Sequence, residues 1–185
     1  TRYSWLTAFA GKYVNDWLTI SASALATVIN EDVKKGGSAG NHRKLTPYVS
    51  AAFKPFRHEE FRVRFFYKDI FRLASFNDLY YEEVGNTQLK PEKAKQYNIG
   101  LTYNKNVCPF LPYLSVTVDA YYNKVTDKII AYPTKNLAVW SMRNLGEVEI
   151  KGIDATGSLS LQPWERIRIN LSSNCLLYTS DAADD

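Results

Sequence analysis

The chain has 185 residues, of which 45% are hydrophobic and 23% are charged, and this balance excludes intrinsic disorder. Its formal net charge of +4 is too small to indicate a nucleic-acid-binding protein without a concentrated basic face. With only two cysteines, a disulfide framework and a cysteine metal cluster are both excluded. No uninterrupted run of about 18 apolar residues occurs, which excludes a membrane-spanning helix but leaves membrane crossing by strands open.

Apolar and polar side chains alternate along most of the chain, as they do in β-strands with two different faces. The strands predicted in this way, in chain order, cover residues 2–9, 17–28, 45–54, 61–68, 96–103, 114–123, 147–161 and 166–171. Within the seventh of them the apolar parity shifts at Gly152, which predicts a β-bulge there. The pattern therefore predicts an all-β protein.

The predicted connections alternate in length. The short ones are 10–16, 55–59, 105–111 and 162–164, and the long ones are 29–44, 69–94 and 125–146. All short turns then fall at one end of an antiparallel sheet and all long loops at the other. Together with strands of about 9 to 11 residues, this asymmetry is typical of antiparallel transmembrane β-barrels, which have short periplasmic turns and long extracellular loops.

Aromatic residues support the barrel, because many of them lie near predicted strand ends, where an aromatic girdle would place them. They are Trp5, Trp17, Tyr48, Tyr67, Tyr97, Tyr103, Tyr122 and Trp164. The alternative is the ordinary enrichment of aromatic residues in strands.

An ordered set of motifs follows in the middle of the chain. FNDLYY stands at 76–81, Gly-Asn at 85–86, Leu-Lys-Pro-Glu at 89–92 and Tyr-Asn-Ile-Gly at 97–100, before VDAYYNKVTDKI and NLGEVEIKGID. The set resembles the C-terminal half of the barrel in TonB-dependent outer-membrane receptors, over residues 45–172. The resemblance implies a barrel of about twenty-two strands plugged by an N-terminal domain. About eight of those strands are expected in this chain.

The resemblance also implies a function. The chain is expected to be part of a receptor in the outer membrane of a Gram-negative bacterium that imports a large, scarce nutrient such as a siderophore, haem or cobalamin. Its expected partners are outer-membrane lipid, the nutrient ligand and the TonB complex, the last through a plug region outside this chain. A porin-like or adhesive outer-membrane barrel without TonB coupling fits the strand pattern equally well, and a soluble carbohydrate-binding module is a third alternative.

Enzyme chemistry finds no support in the sequence. The topology predicts His42 and His58 at opposite ends of the barrel, too far apart for a shared metal site or a catalytic dyad. Neither a nucleophile elbow nor a phosphate-binding loop is present. We therefore expect no catalysis, no cofactor and no nucleic-acid partner.

Two of the predicted long loops carry the candidate ligand-binding residues. Aromatic faces mixed with hydrogen-bonding groups suit a bulky amphipathic ligand such as a metal chelate. Loop 69–94 offers Arg72, Phe76, Asn77, Asp78, Tyr80, Tyr81 and Asn86, and loop 125–146 offers Trp140 and Arg143, with Tyr132 and Asn144 beside them. The alternative is that FNDLYY packs its loop against the barrel rim.

The two ends of the chain carry expectations of their own. Residues 175–185 depart from the family pattern and resemble translated sequencing-adapter sequence. The predicted organisation is a partial receptor barrel over 1–174 and a non-native tail over 175–185. A chain that opens at Thr1 is expected to be an internal fragment.

Overall fold

The computed structural model describes residues 1–32, 40–56, 60–82, 84–133 and 140–183. Within these ranges lie eight strands and one short helix: β1 (Arg2–Val14), β2 (Leu18–Glu31), β3 (His42–Phe53), β4 (Glu60–Arg72), α1 (Phe76–Tyr80), β5 (Glu92–Lys105), β6 (Tyr113–Pro133), β7 (Trp140–Trp164) and β8 (Ile167–Ala183). The strands form one antiparallel sheet in the order in which they follow along the chain. The predicted all-β fold with about eight antiparallel strands is confirmed.

The register of the sheet separates an apolar face from a polar face. Phe65 of β4 pairs with Ile99 of β5, and Ile99 pairs with Ala120 of β6. Paired residues point to the same face, so these apolar side chains form a continuous row. On the other face, Thr102 of β5 pairs with Thr117 of β6. This division, predicted from the alternation, is that of a transmembrane barrel wall.

Aromatic rings bound the apolar face at both ends. Near the long-loop end, the ring centroids of Tyr67 and Tyr97 are 5.0 Å apart, and those of Tyr97 and Tyr122 are 6.1 Å apart. Near the short-turn end, the centroids of Phe61 and Tyr103 are 6.5 Å apart. The rows lie where the aromatic girdles of a barrel are expected. We call Tyr67, Tyr97 and Tyr122 the upper tyrosine row.

The short connections do lie at one end of the sheet. They are residues 15–17, 54–59, 106–112 and 165–166. At the opposite end, β2 and β3 are joined by residues 32–41, and β4 and β5 by residues 73–91. We refer to residues 73–91 as the rim loop. The end that carries it is the extracellular end of a barrel with this asymmetry.

The prediction of a long loop over 125–146 is wrong. Strands β6 and β7 continue to pair from Thr126 and Glu147 as far as Pro133 and Trp140. Trp140 and Arg143, two candidate ligand-binding residues, therefore lie in β7, as does Asn144, while Tyr132 lies in β6. Above the membrane both faces of a hairpin meet water, so the alternation of side chains fades while the backbone ladder continues. Arg72 likewise lies in β4, below the rim loop.

The prediction of a β-bulge at Gly152 is also wrong. The pairing of β7 with β6 and β8 runs through this residue without a shift, and an irregularity falls instead between Leu161 and Trp164. A Cβ atom at position 152 would overlap the hydroxyl group of Tyr121, its partner on β6. Glycine is therefore required at this position because the tyrosine ring covers the backbone.

Residues 175–183 of the tail predicted to be non-native belong to a strand. β8 extends to Ala183, which pairs with Glu147 of β7. Such pairing uses backbone groups that every residue except proline can supply. The pairing therefore does not bear on the origin of residues 175–185, and their assignment as a non-native tail stays a prediction.

Candidate functional site

The start of helix α1 in the rim loop is fixed by a capping box, in which Ser75 and Asp78 exchange two hydrogen bonds. The Ser75 side-chain oxygen accepts a hydrogen bond from the Asp78 N–H at 3.1 Å, and the Asp78 carboxylate accepts one from the Ser75 N–H at 2.8 Å. After helix α1, the Gly85 N–H donates to the Tyr81 carbonyl at 2.7 Å. A Cβ atom at Gly85 would lie 2.6 Å from the Tyr81 nitrogen, so this close turn needs glycine.

Apolar side chains fix the rim loop to the sheet. The buried cluster consists of Ala74, Leu79, Leu89 and Ile129, with Tyr80 and Met142 packed against it. Three of the four buried members belong to the rim loop and Ile129 belongs to β6. Burial of these side chains stabilises the docked loop through the hydrophobic effect.

A polar anchor joins the rim loop to β1 and β2. The Tyr80 hydroxyl donates to one Glu31 carboxylate oxygen at 2.7 Å, and the Arg2 guanidinium lies 3.3 Å from the other. The Glu31 side chain is only 2% exposed, so its charge needs these partners. Arg2 also donates to the Ala74 carbonyl at 3.1 Å and lies 4.6 Å from the centroid of the Phe76 ring. One buried carboxylate therefore organises the start of the loop.

A second polar anchor joins the other part of the loop to the β6–β7 hairpin. The Asn144 side chain accepts the Lys90 N–H at 2.8 Å and donates to the Lys90 carbonyl at 2.9 Å. It also donates to the carbonyl of Asp127, whose φ of 56° is in the left-handed region, at 2.7 Å. The Asn86 side chain donates to the Met142 carbonyl at 2.9 Å. These contacts tie the loop to β7.

The two anchors place the rim loop across the polar face of the sheet. Glu31 on β2 and Met142 on β7 both belong to the polar face by the register of the strands. In a closed barrel the polar face lines the lumen. The rim loop therefore lies over the mouth of the lumen.

The structure divides the candidate residues of the rim loop into two groups. Asp78, Tyr80 and Asn86 use their polar groups to shape and anchor the loop. Phe76 and Tyr81 remain 51% and 56% exposed, and Asn77 is exposed beside them. The alternative interpretation, in which FNDLYY packs against the barrel rim, therefore applies to Leu79 and Tyr80. Phe76, Asn77 and Tyr81 form the exposed surface of the loop.

The remaining candidates are not part of that surface. Arg72 forms an ion pair with Glu92 of β5 at 2.8 Å. Trp140 is 49% exposed at the start of β7. Arg143 lies on the face of β7 opposite to Met142, where its guanidinium is 5.8 Å from the centroid of the Tyr132 ring. The structure thus separates Arg143 from the residues that contact the rim loop.

Sequence reasoning missed two sets of polar residues. The first set is Arg2 and Glu31. The strand pattern could not predict their contacts, because it does not show that they lie beside Tyr80, which is far along the chain. The second set is an ion pair on the polar face, in which the Arg64 guanidinium lies 3.1 Å from a carboxylate oxygen of Asp119. The sequence feature that could have indicated this ion pair is Gly100, a glycine within a strand. A Cβ atom added at Gly100 would lie 2.9 Å from an Arg64 nitrogen.

The described residues do not form a metal site. Within the described ranges, no group of three or more His, Cys, Asp or Glu side chains could hold a metal ion. His42 lies on β3 beside the Phe71 ring, and His58 lies outside the described residues. Among the described residues no helix is long and apolar enough to cross a membrane.

Known transporters resemble this chain over part of their length. It is 33% identical over 84 residues to the vitamin B12 transporter BtuB of Vibrio vulnificus (strain YJ016), a match that covers 45% of the chain and 13% of that transporter. Its fold matches the copper transporter OprC with a TM-score of 0.70 at 13% identity, covering 99% of the chain and 29% of that structure. It also matches the FrpB iron transporter from Neisseria meningitidis (F5-1 variant) with a TM-score of 0.62 at 14% identity. This match covers 96% of the chain and 26% of that structure.

The matched segments are less than a third of the length of each of these proteins. The family model described as TonB dependent receptor-like, beta-barrel matches residues 2–185. That match includes all eight strands and both anchors of the rim loop. The chain belongs to the TonB-dependent receptor family and forms part of its β-barrel domain in the outer membrane of a Gram-negative bacterium.

Proposed function

We propose that this chain is part of a receptor that binds a large, scarce nutrient outside the cell and imports it with energy from the TonB complex. The observation that supports this is the anchored rim loop. It holds Phe76, Asn77 and Tyr81 over the mouth of the lumen, where an external ligand arrives first. Because the described residues of the loop are already anchored, binding costs less conformational entropy than it would on a free loop.

The exposed groups favour a bulky ligand with both apolar and polar parts. Two half-exposed aromatic rings can cover a flat or macrocyclic surface, while the Asn77 amide can donate to and accept from its rim. Siderophores, haem and cobalamin have this chemistry. The similar transporters are named for vitamin B12, copper and iron, which supports a ligand that contains a metal.

The polar face supports passage through the lumen. Arg64 and Asp119 hold fixed charges there, and Arg62 and Lys68 lie on the same face of β4 as Arg64. A loop anchored across the mouth would restrict an open pore, so it favours a gated receptor over the porin-like alternative. Gated import against a gradient requires an energy source, and in this family that role falls to the TonB complex.

The test is ligand binding to intact cells that make the full-length receptor. Tyr81→Ala should weaken binding of one member of a panel (a ferric siderophore, haem or cobalamin) by about 1–3 kcal/mol, because aromatic anchors dominate interface energies. Tyr132→Ala is the matched control, since Tyr132 is similarly exposed, at 52% against 56%, but lies on β6 beside Arg143. The control should leave the affinity unchanged.

Affinity is expressed per folded barrel, measured by heat-modifiability on gels. Equal affinities for Tyr81→Ala, Tyr132→Ala and the parent receptor would reject the rim loop as the binding surface. A loss of folded barrel without a change in affinity would assign Tyr81 to packing alone.

A further inference from the structure

A row of hydrogen-bonding side chains crosses the polar face of the sheet below the rim loop. Ser23 of β2 pairs with Tyr48 of β3, and Tyr48 pairs with Lys68 of β4. The row continues through Gln96 of β5 to Asn123 of β6. Paired residues point to the same face, so five adjacent strands present hydrogen-bond donors at one height. We call these five residues the donor row.

The donor row lies between the rim loop and the ion pair of Arg64 with Asp119. Lys68 is four residues above Arg64 on β4, which is about 14 Å along the strand, and five residues below the start of the rim loop. A ligand that enters the lumen beneath Phe76 and Tyr81 therefore reaches the donor row next.

A cavity of about 260 Å³ opens on the donor row where the ladder between β3 and β4 ends. Among the described residues the last pair of that ladder is Tyr48 with Lys68. Strand β3 nevertheless stays paired with β2 as far as His42, and β4 stays paired with β5 as far as Arg72. Pro47, the next residue of β3, has no N–H to donate to β4. The two strands therefore part, and the cavity lies between them.

The cavity combines hydrogen-bond donors with an apolar surface. Ser23, Tyr48 and Lys68 line its lower part, and Leu25 and Ile70 line it above them. Sites that take a whole ligand measure about 300–1,000 Å³, so this cavity admits one arm of a large ligand. The lining fits an arm that carries a polar group next to an apolar body.

Lys68 supplies the free positive charge of the cavity. It is exposed, and within the described part of the chain no carboxylate lies within 4.0 Å of its ammonium group. Asp69 also lines the cavity, but it is paired with Lys44 at 3.7 Å. Below the cavity, Asp119 is paired with Arg64 at 3.1 Å. An anion in the cavity therefore meets one unpaired cation beside two hydroxyl groups.

We infer that the cavity binds a carboxylate of the imported nutrient and packs the apolar part of the nutrient against Leu25 and Ile70. The Lys68 ammonium pairs with the carboxylate, and the Tyr48 and Ser23 hydroxyls donate to it. This inference rests on the proposed function and narrows its ligand to amphipathic acids. Haem, with its propionates, and siderophores that carry carboxylates belong to this class, whereas cobalamin has no carboxylate.

The experiment measures binding to the full-length receptor on intact cells. The carboxylate probes are haem and ferric citrate, and the probes without a carboxylate are haem dimethyl ester, ferrichrome and cobalamin. The parent receptor should bind a carboxylate probe, and Lys68→Gln should weaken that binding about tenfold per folded barrel, because a hydrogen bond between charged groups is lost. Lys68→Arg keeps the charge and should bind nearly as tightly as the parent. Lys68→Gln should not change the weaker binding of the other probes.

Lys12→Gln is the matched control. Lys12 pairs with Ser21 on the polar face of β1 and is exposed like Lys68. Among the described residues it too has no carboxylate within 4.0 Å. Three strand spacings, about 14 Å, separate the two lysines, which exceeds the Debye length of about 8 Å at physiological salt. Removal of the charge of Lys12 should therefore leave the affinity unchanged.

The possible outcomes separate this inference from the proposed function. Unchanged affinity of Lys68→Gln for the carboxylate probe, or an equal loss in Lys12→Gln, would overturn the inference. A parent receptor that binds a probe without a carboxylate as tightly as haem or ferric citrate would also overturn it, while nutrient binding would stand. Binding of none of the probes would overturn the inference and the proposed function together.

Discussion

Val118→Arg tests which face of the sheet meets lipid. Val118 pairs with Leu101 on β5 and Ala155 on β7, in the middle of the apolar face. It lies four residues below Tyr122 on β6. At about 3.4 Å per residue and a strand tilt of about 40°, that separation corresponds to a depth of about 10 Å below the upper tyrosine row, near the midplane of an apolar band about 25 Å tall.

An arginine at that depth should destabilise the barrel by about 2–4 kcal/mol, because its charge is removed from water and meets hydrocarbon. Thr117→Arg is the matched control, since the adjacent side chain points to the polar face between Thr102 and Thr156. Val116→Arg should be milder than Val118→Arg, because Val116 pairs with Tyr103 in the lower aromatic row.

The assay is urea unfolding of the full-length barrel in lipid vesicles, together with the folded fraction in outer membranes by heat-modifiability. The expected order of destabilisation is Val118→Arg, then Val116→Arg, then Thr117→Arg. Equal destabilisation by Val118→Arg and Thr117→Arg would refute the assignment of the two faces.

Three further predictions concern the rim loop, the polar face and the topology. Asn144→Ala should speed proteolysis within the rim loop about tenfold, because three hydrogen bonds that hold the loop and its hairpin are lost; unchanged cleavage would show that other contacts suffice. Gly100→Val should lower the free energy of unfolding by about 1–3 kcal/mol in urea titrations, since its side chain overlaps the Arg64–Asp119 ion pair, and a neutral result would contradict that packing. In a Cys175→Ser background, the exposed Cys108 thiol should react with a membrane-impermeant maleimide only after permeabilisation; labelling on intact cells would invert the topology.

The alternation of side chains predicted the strands and their faces wherever the two faces meet different surroundings. From Phe61 to Tyr67, for example, lipid and lumen impose opposite preferences on successive residues, so the period is visible. Above Thr126 the β6–β7 hairpin leaves the membrane and the preference disappears. The backbone pairing continues there, so the sequence pattern placed in a loop two residues, Trp140 and Arg143, that the structure pairs in β7.

The sequence predicted which residue types the rim loop carries, but not which of them anchor the loop and which stay exposed. Phe76, Tyr80 and Tyr81 are all aromatic residues of one short motif, and no local pattern distinguishes them. Tyr80 becomes an anchor because Glu31, 49 residues away in sequence, lies beneath it once β2 is paired. Contacts of this kind depend on the assembled sheet and leave no periodic signal in the sequence.

The dependence of uptake on the TonB complex tests most directly whether the full-length protein is an active receptor. Cells that make the full-length receptor are supplied with the member of the panel that they bind, and surface binding and internal accumulation are measured with and without TonB. We expect that binding is retained and accumulation is lost when TonB is absent. Equal accumulation in both strains would contradict an active receptor and identify a porin-like barrel.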